Sequence, residues 1–157
     1  MKIEFWAIGK NHEPYIKSGV DEFTNRIANY YPVKWNIIPP PKNAGHLNEP
    51  VLKKKEGEMI LAAMANEDYL VLLDENGKEL SSYTLSNFLQ SRANESHKHL
   101  IFLIGGAYGV DEMIMKRANF TWSLSLLTFP HQLVRLIISE QLYRACTILR
   151  NEKYHHS

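Results

Sequence analysis

Apolar residues recur along this chain in two rhythms, and their alternation sets the expected fold. Lys2–Ile8 is a short run rich in β-branched and aromatic residues and reads as a first strand. Ile16, Val20, Phe23, Ile27 and Tyr30 then follow at steps of four and three, the spacing of one helix face. Val33–Ile38 reads as a second strand, stopped by Pro39-Pro40-Pro41, and residues 42–48 are polar and irregular. Asn48, with Pro50 just behind it, predicts a helix start, the helix running to about Ala65. Tyr69–Leu73 is an apolar strand ending at Asp74; Glu75-Asn76-Gly77-Lys78 reads as a turn before a helix carrying Leu85, Phe88 and Leu89. His99–Ile104 is a continuous apolar run of the kind found in parallel sheets covered on both faces. Phe120–Ser125 is a fifth strand, and Pro130 precedes a long helix from His131 to about Arg150, with a polar tail beyond it. The β-α-β-α order predicts an α/β fold with a mostly parallel sheet and helices on both faces. No repeat or linker interrupts it, so residues 1–157 are expected to form one domain.

Two features of the last third, Leu100–Tyr154, refine this expectation. The strand exits at Ile104-Gly105-Gly106 and at Ser125-Leu126-Leu127-Thr128 can line one crevice, and open α/β sheets bind ligands at such carboxyl ends. The last helix is apolar around much of its circumference, with Leu133-Val134 and Leu136-Ile137-Ile138 contiguous. A helix on one sheet face needs only a stripe, so a second apolar partner is expected, and another copy of the chain would supply it.

Composition narrows the function classes. Apolar residues make up 45% and charged residues 22%, ordinary for a globular protein of 157 residues. Cys146 is the single cysteine, which excludes an intrachain disulfide and fits a reducing cytosol. The N-terminal run carries Glu4 and is not laid out as a signal peptide, and no apolar run approaches the roughly 20 residues of a membrane helix. Eighteen basic and 17 acidic residues give a net charge of +1. That balance argues against non-specific DNA binding, which needs many phosphate contacts, but leaves room for a focused RNA site.

Candidate chemistry follows from position. Gly105-Gly106-Ala107-Tyr108-Gly109 lies between a strand and Asp111, a helix N-cap. It is either a tight turn or a place where a ligand approaches backbone closely. It is not a Gly-x-Gly-x-x-Gly fingerprint, because Ala107 and Val110 stand at its second and third glycine positions. Leu124, Ser125, Leu126, Leu127, Thr128 and Phe129 form an apolar loop, suited to a flat neutral ligand such as adenine or else to a packed connection. Glu140 and Arg144 are spaced as an ordinary helical ion pair. Arg135, a turn beyond Pro130-His131, is placed for phosphate, and His131 for acid–base work or merely for starting a helix. The tail Tyr154-His155-His156-Ser157 either frays or folds over a site. Zinc spacings, Gly-x-Ser-x-Gly and paired carboxylates are absent from the sequence, so metal catalysis and serine-type hydrolysis are not expected.

Several segments together resemble one family. They are Ala7-Ile8-Gly9-Lys10, Lys55-Glu56-Gly57-Glu58, Leu72-Leu73-Asp74 with Gly77-Lys78, Leu103-Ile104-Gly105-Gly106 with Gly109, Trp122-Ser123-Leu124-Ser125 and Thr128-Phe129-Pro130-His131. Val134-Arg135, Glu140-Gln141-Leu142-Tyr143-Arg144-Ala145 and Tyr154-His155 complete the set, which spans nearly the whole chain. It is similar to the RlmH (YbeA-like) family of SPOUT-class methyltransferases. The resemblance implies a C-terminal trefoil knot over about residues 100–157, a homodimer and a cytoplasmic location. It also implies methylation of N3 of a pseudouridine in 23S rRNA, at the position usually numbered 1915, on the assembled ribosome. The implied methyl donor is S-adenosyl-L-methionine, held by Leu73, Gly105 and Leu124–Phe129, with no metal, membrane or DNA partner. Proton removal from N3 then falls to His155, Glu140 or His131, in that order; Arg135 and Arg144 would grip phosphate, and Tyr154 would stack on the exposed base. Two departures bear on this: His156 stands where relatives carry a basic residue after the tail Tyr-His, and Tyr108 is bulky for the crevice rim. A SPOUT-like enzyme with another RNA target and a non-catalytic ribosome-binding dimer are the alternatives.

Overall fold

A computed structural model of the protein describes residues 1–156; Ser157, the end of the expected domain span, lies outside the described residues. Among the described residues five strands, β1 (Lys2–Ile8), β2 (Val33–Ile38), β3 (Tyr69–Glu79), β4 (His99–Ile104) and β5 (Phe120–Ser123), form one sheet in the order β2-β1-β4-β3-β5. Every pairing between them is parallel. The helices are α1 (Pro14–Ile27), α2 (Glu49–Ala63), α3 (Ser82–Asn94), α4 (Glu112–Arg117) and α5 (His131–Leu149).

Alternate side chains of the strands leave the sheet on opposite sides and define two cores. On one side Phe5, Val71 and Phe102 pack with Ile27 of α1, Leu85 and Leu89 of α3, and Ile138 and Leu142 of α5. On the other, Trp6, Leu70, Leu72 and Leu103 pack with Ile60 of α2 and Ile114 of α4. Both faces are covered, which is why β4 needed an unbroken apolar run. Helix starts follow local chemistry. Asn48 accepts the Val51 N–H, Asp111 accepts the Met113 N–H, and Ser81 and Thr84 cap α3 reciprocally.

The expected turn at Glu75–Lys78 is instead a continuation of β3, which shifts register between Leu73 and Lys78 and stays paired with β5. Gly77 makes this possible. A Cβ there would lie 2.7 Å from the backbone of Thr121 and Trp122, so the two strands touch as only glycine allows. Gly77→Ala must spread β3 from β5, at a cost of about 1–3 kcal/mol. Thermal unfolding checks this: Tm should fall by about 2–4 °C for each kcal/mol, and an unchanged Tm contradicts it.

The breadth of apolar surface on α5 also has a cause within the chain. α5 lies between α1 and α3 over the sheet, and none of its residues from His131 to Leu149 is exposed. Gly19 of α1 is the seat of Leu136, whose Cδ1 would be 2.8 Å from an added Cβ. α1 and α3 thus cover part of that breadth within the chain, while Leu133, Val134, Leu136 and Ile137 stay only partly buried. The described part of the tail packs on the protein: the Tyr154 ring meets Tyr143 at 4.7 Å, and Glu152 accepts the Tyr30 hydroxyl at 2.7 and 2.9 Å.

Candidate active site

The strand order brings the carboxyl ends of β3, β4 and β5 side by side, and a crevice of about 640 Å³ opens there. Leu73 closes it from β3, Ile104 from β4 and Gly105 just beyond it, and Leu124, Ser125, Leu127, Thr128 and Phe129 from the loop after β5. The apolar loop is tied by its own short bonds. Ser123 Oγ donates to the Ser125 carbonyl and the Leu127 N–H donates to Ser125 Oγ, each at 3.0 Å. Leu126 stands outside the wall, 83% exposed, and Leu127 lines it while 71% exposed. Such bare leucines leave apolar surface for a flat ligand to cover. Lys53 of α2 and Asp74 and Glu75 of β3 add both signs of charge at the lining, and the Trp122 indole N–H is buried there without a partner among the described residues.

A second crevice of about 450 Å³ adjoins the first across Gly106, Ala107, Tyr108 and His131, which line both. Its other walls are the β1 exit at Ile8-Gly9, the loop around Pro40 and Gly45, and Leu52 and Glu56 of α2. Tyr108, 55% exposed, is thus on the ridge between two spaces rather than at an outer rim. The β1–α1 loop is held against the start of α5: the Glu13 N–H donates to Gln132 Oε1 at 2.9 Å, and Arg135 Nη1 lies 3.2 Å from His12 Nδ1.

Arg135 differs most from expectation. It is fully buried, and Nε and Nη2 have no hydrogen-bond partner among the described residues. Burial holds its guanidinium below the ordinary range, with Glu13 pulling the other way. Its guanidinium lies beneath the β1 exit, 4.0 Å from where a Cβ on Gly9 would stand, and places a positive charge there. That charge reaches two histidines. Burial, then Arg135, holds both His12 and His131 below the usual imidazole range, while the Gly105 backbone opposes the shift at His131. His131 Nε2 is buried and unpartnered among the described residues.

The remaining expected residues gather elsewhere on α5. Glu140 accepts from Arg144 Nη2 at 2.6 Å and Nε at 3.0 Å, from the Tyr154 hydroxyl at 3.1 Å and from Gln141 at 2.8 Å. Arg144 Nη1 lies 3.1 Å from His155 Nδ1, and its guanidinium sits over the Tyr154 ring at 4.7 Å. His155 also meets the Tyr83 ring edge-on at 4.9 Å. Glu140, Arg144, Tyr154 and His155 therefore form one network that fastens the tail to α5, and none of them lines the crevice of its own subunit. Both Glu140 oxygens are thus engaged by neighbours in this arrangement.

Sequence patterning overlooked Glu56 as a lining residue. It is only 7% exposed, although it is a carboxylate on a helix. A signal was present: Leu52, Glu56 and Ile60 are spaced by four, so an acid occupies the apolar stripe of α2.

Comparison with known proteins places this geometry. A family model described as "Predicted SPOUT methyltransferase" matches residues 1–155. Ribosomal RNA large subunit methyltransferase H of Cytophaga hutchinsonii is 46% identical over 156 residues, covering 99% of this chain and 100% of that protein. Proteins of the same name from Parabacteroides distasonis and Flavobacterium johnsoniae are 47% and 49% identical, each alignment covering 99% of both chains. With a match of this length and identity, the chain belongs to the SPOUT methyltransferase family, within its RlmH group.

Proposed function

We propose that this protein methylates N3 of a pseudouridine in 23S rRNA, at the position usually numbered 1915, using S-adenosyl-L-methionine on the assembled ribosome. The observation that carries the proposal is the crevice in which Leu73, Gly105 and the 124–129 loop converge, in a chain matching rRNA methyltransferases end to end. The lining fits the donor. Leu124, Leu127 and Phe129 offer apolar contact for adenine, Lys53 offers a cation for the carboxylate, and Asp74 and Glu75 complement the ammonium and sulfonium charges. Trp122, whose buried indole N–H has no partner among the described residues, is a further lining residue.

The bound donor supplies an already activated methyl group. The protein's own residues hold the acceptor in line with that methyl and exclude water from the crevice, a positioning effect of roughly 7–11 kcal/mol at best. They also remove the imide proton, worth about 10²–10⁴-fold.

The working unit we propose is a cytoplasmic homodimer in which the whole chain is one domain, knotted at its C-terminal end. Two features support it. β5 lies beyond β3 at the sheet edge while α5 returns to pack between α1 and α3, and the tail residues suited to RNA lie away from their own crevice. Ribosomes from cells lacking this protein test the activity. Transfer of labelled methyl, with N3-methylpseudouridine identified by nucleoside mass spectrometry, is the expected result; unlabelled ribosomes, or label on another nucleoside, contradict it.

A further inference from the structure

The second crevice has a property that donor binding leaves unexplained. Glu56 lies in its wall, nine-tenths buried, and no hydrogen-bond or ion-pair partner among the described residues reaches it. Its carboxylate rests against the ridge: a Cβ on Gly106 would sit 2.8 and 2.9 Å from the two Glu56 oxygens. Gly106 lines both crevices, so the carboxylate adjoins the place where contents of the two spaces meet. Burying an unpaired carboxylate opposes folding, and such a group persists where function requires it.

We infer that the second crevice admits the target uracil ring and that Glu56 is the base that takes its N3 proton. The inference rests on the methyl-transfer function proposed above. In the step, the N3–H bond breaks with its proton passing to a Glu56 oxygen. The N3 electron pair forms the new N–C bond as the sulfur–methyl bond breaks, and sulfur keeps that bond's pair as a neutral thioether. Glu56 then releases the proton to solvent. A cationic donor and an anionic carboxylate become two neutral groups, a change that a water-poor site favours.

Charge distinguishes Glu56 from His131, which lines the same space. Protonated His131 would be a second cation near Arg135, whereas protonated Glu56 is neutral. Burial alone pushes the Glu56 carboxyl above its usual range, toward the pH at which a general base works best. Asp111 at the start of α4, packed by Gly57, and Lys53 on its own helix are further charged groups near this corner, and burial is the cause of the shift.

Glu56→Gln keeps the shape and removes the base. Single-turnover methyl transfer to unmodified ribosomes should fall about 10²–10⁴-fold at neutral pH, with Glu56→Asp recovering part of it. Calorimetry should show S-adenosylmethionine affinity within about threefold of the parent protein. Tm should be unchanged or raised, because an unpaired buried charge has gone. The deficit should shrink by about tenfold per pH unit as alkali removes the imide proton unaided. In the parent protein the rate should fall as pH drops through the raised carboxyl range. Transfer by Glu56→Gln within threefold of the parent, a deficit that ignores pH, or lost activity with a lowered Tm each overturns the assignment. Failure of the parent protein itself to label ribosomes would instead overturn the proposed function.

Discussion

Exchanging Gly105 for valine is expected to weaken S-adenosylmethionine binding by about a hundredfold or more, roughly 2.7 kcal/mol. Gly105 follows the end of β4 and forms one wall of the crevice. A Cβ there would lie 2.9 Å from Val110 Cγ1 and 3.3 and 3.4 Å from the Gly109 carbonyl group. Part of that conflict is with backbone, which does not rotate away. The 105–110 turn must lift off the strand end, and a branched side chain fills space that the donor needs. The cores on either face of the sheet do not include this turn, apart from Ile104 and Val110 at its ends, so the fold survives. Calorimetric titration decides the matter: affinity within threefold of the parent would show that the donor does not use this wall.

Mixing two inactive variants should restore about one quarter of the parental activity. One is Gly105→Val; the other is truncated before Tyr154. In this structure the tail is fastened to α5 through Glu140 and Arg144, away from its own crevice. In the proposed dimer its aromatic and imidazole groups are expected to act at the partner's crevice. Random exchange makes half the dimers mixed, and each mixed dimer has one of two sites with intact donor wall and intact tail. Activity of the mixture equal to the mean of the two variants alone would show that each subunit works with its own tail.

Much of the scaffold was legible because periodicity reports burial directly. β1, β2 and β4 match their apolar runs residue for residue, and Asn48 and Asp111 cap the helices that their positions foretold. The extension of β3 was not legible. Asn76-Gly77 reads locally as a turn, yet tertiary pairing uses that glycine for close approach to Thr121. The breadth of apolar surface on α5 was visible, but patterning cannot say whether a neighbouring helix or another subunit covers it; α1 and α3 do much of this within the chain.

At the site, the backbone-built part was readable and the side-chain electrostatics were not. Strand ends announce a crevice, so Leu73, Gly105 and most of Leu124–Phe129 lie in it together. Arg135 looked like a surface cation because it is an arginine near a helix start, but its helix phase turns it into the protein beside His12. Glu56 is the converse case, hidden by an ordinary-looking charged segment although its spacing from Leu52 and Ile60 marks the buried stripe.

A crystal structure grown with S-adenosylmethionine examines the central claim most directly. The donor should lie between Leu73, Gly105 and the 124–129 loop, with its methyl directed across the Gly106 ridge toward Glu56. Donor density elsewhere on the protein, or a methyl facing away from that ridge, would contradict it.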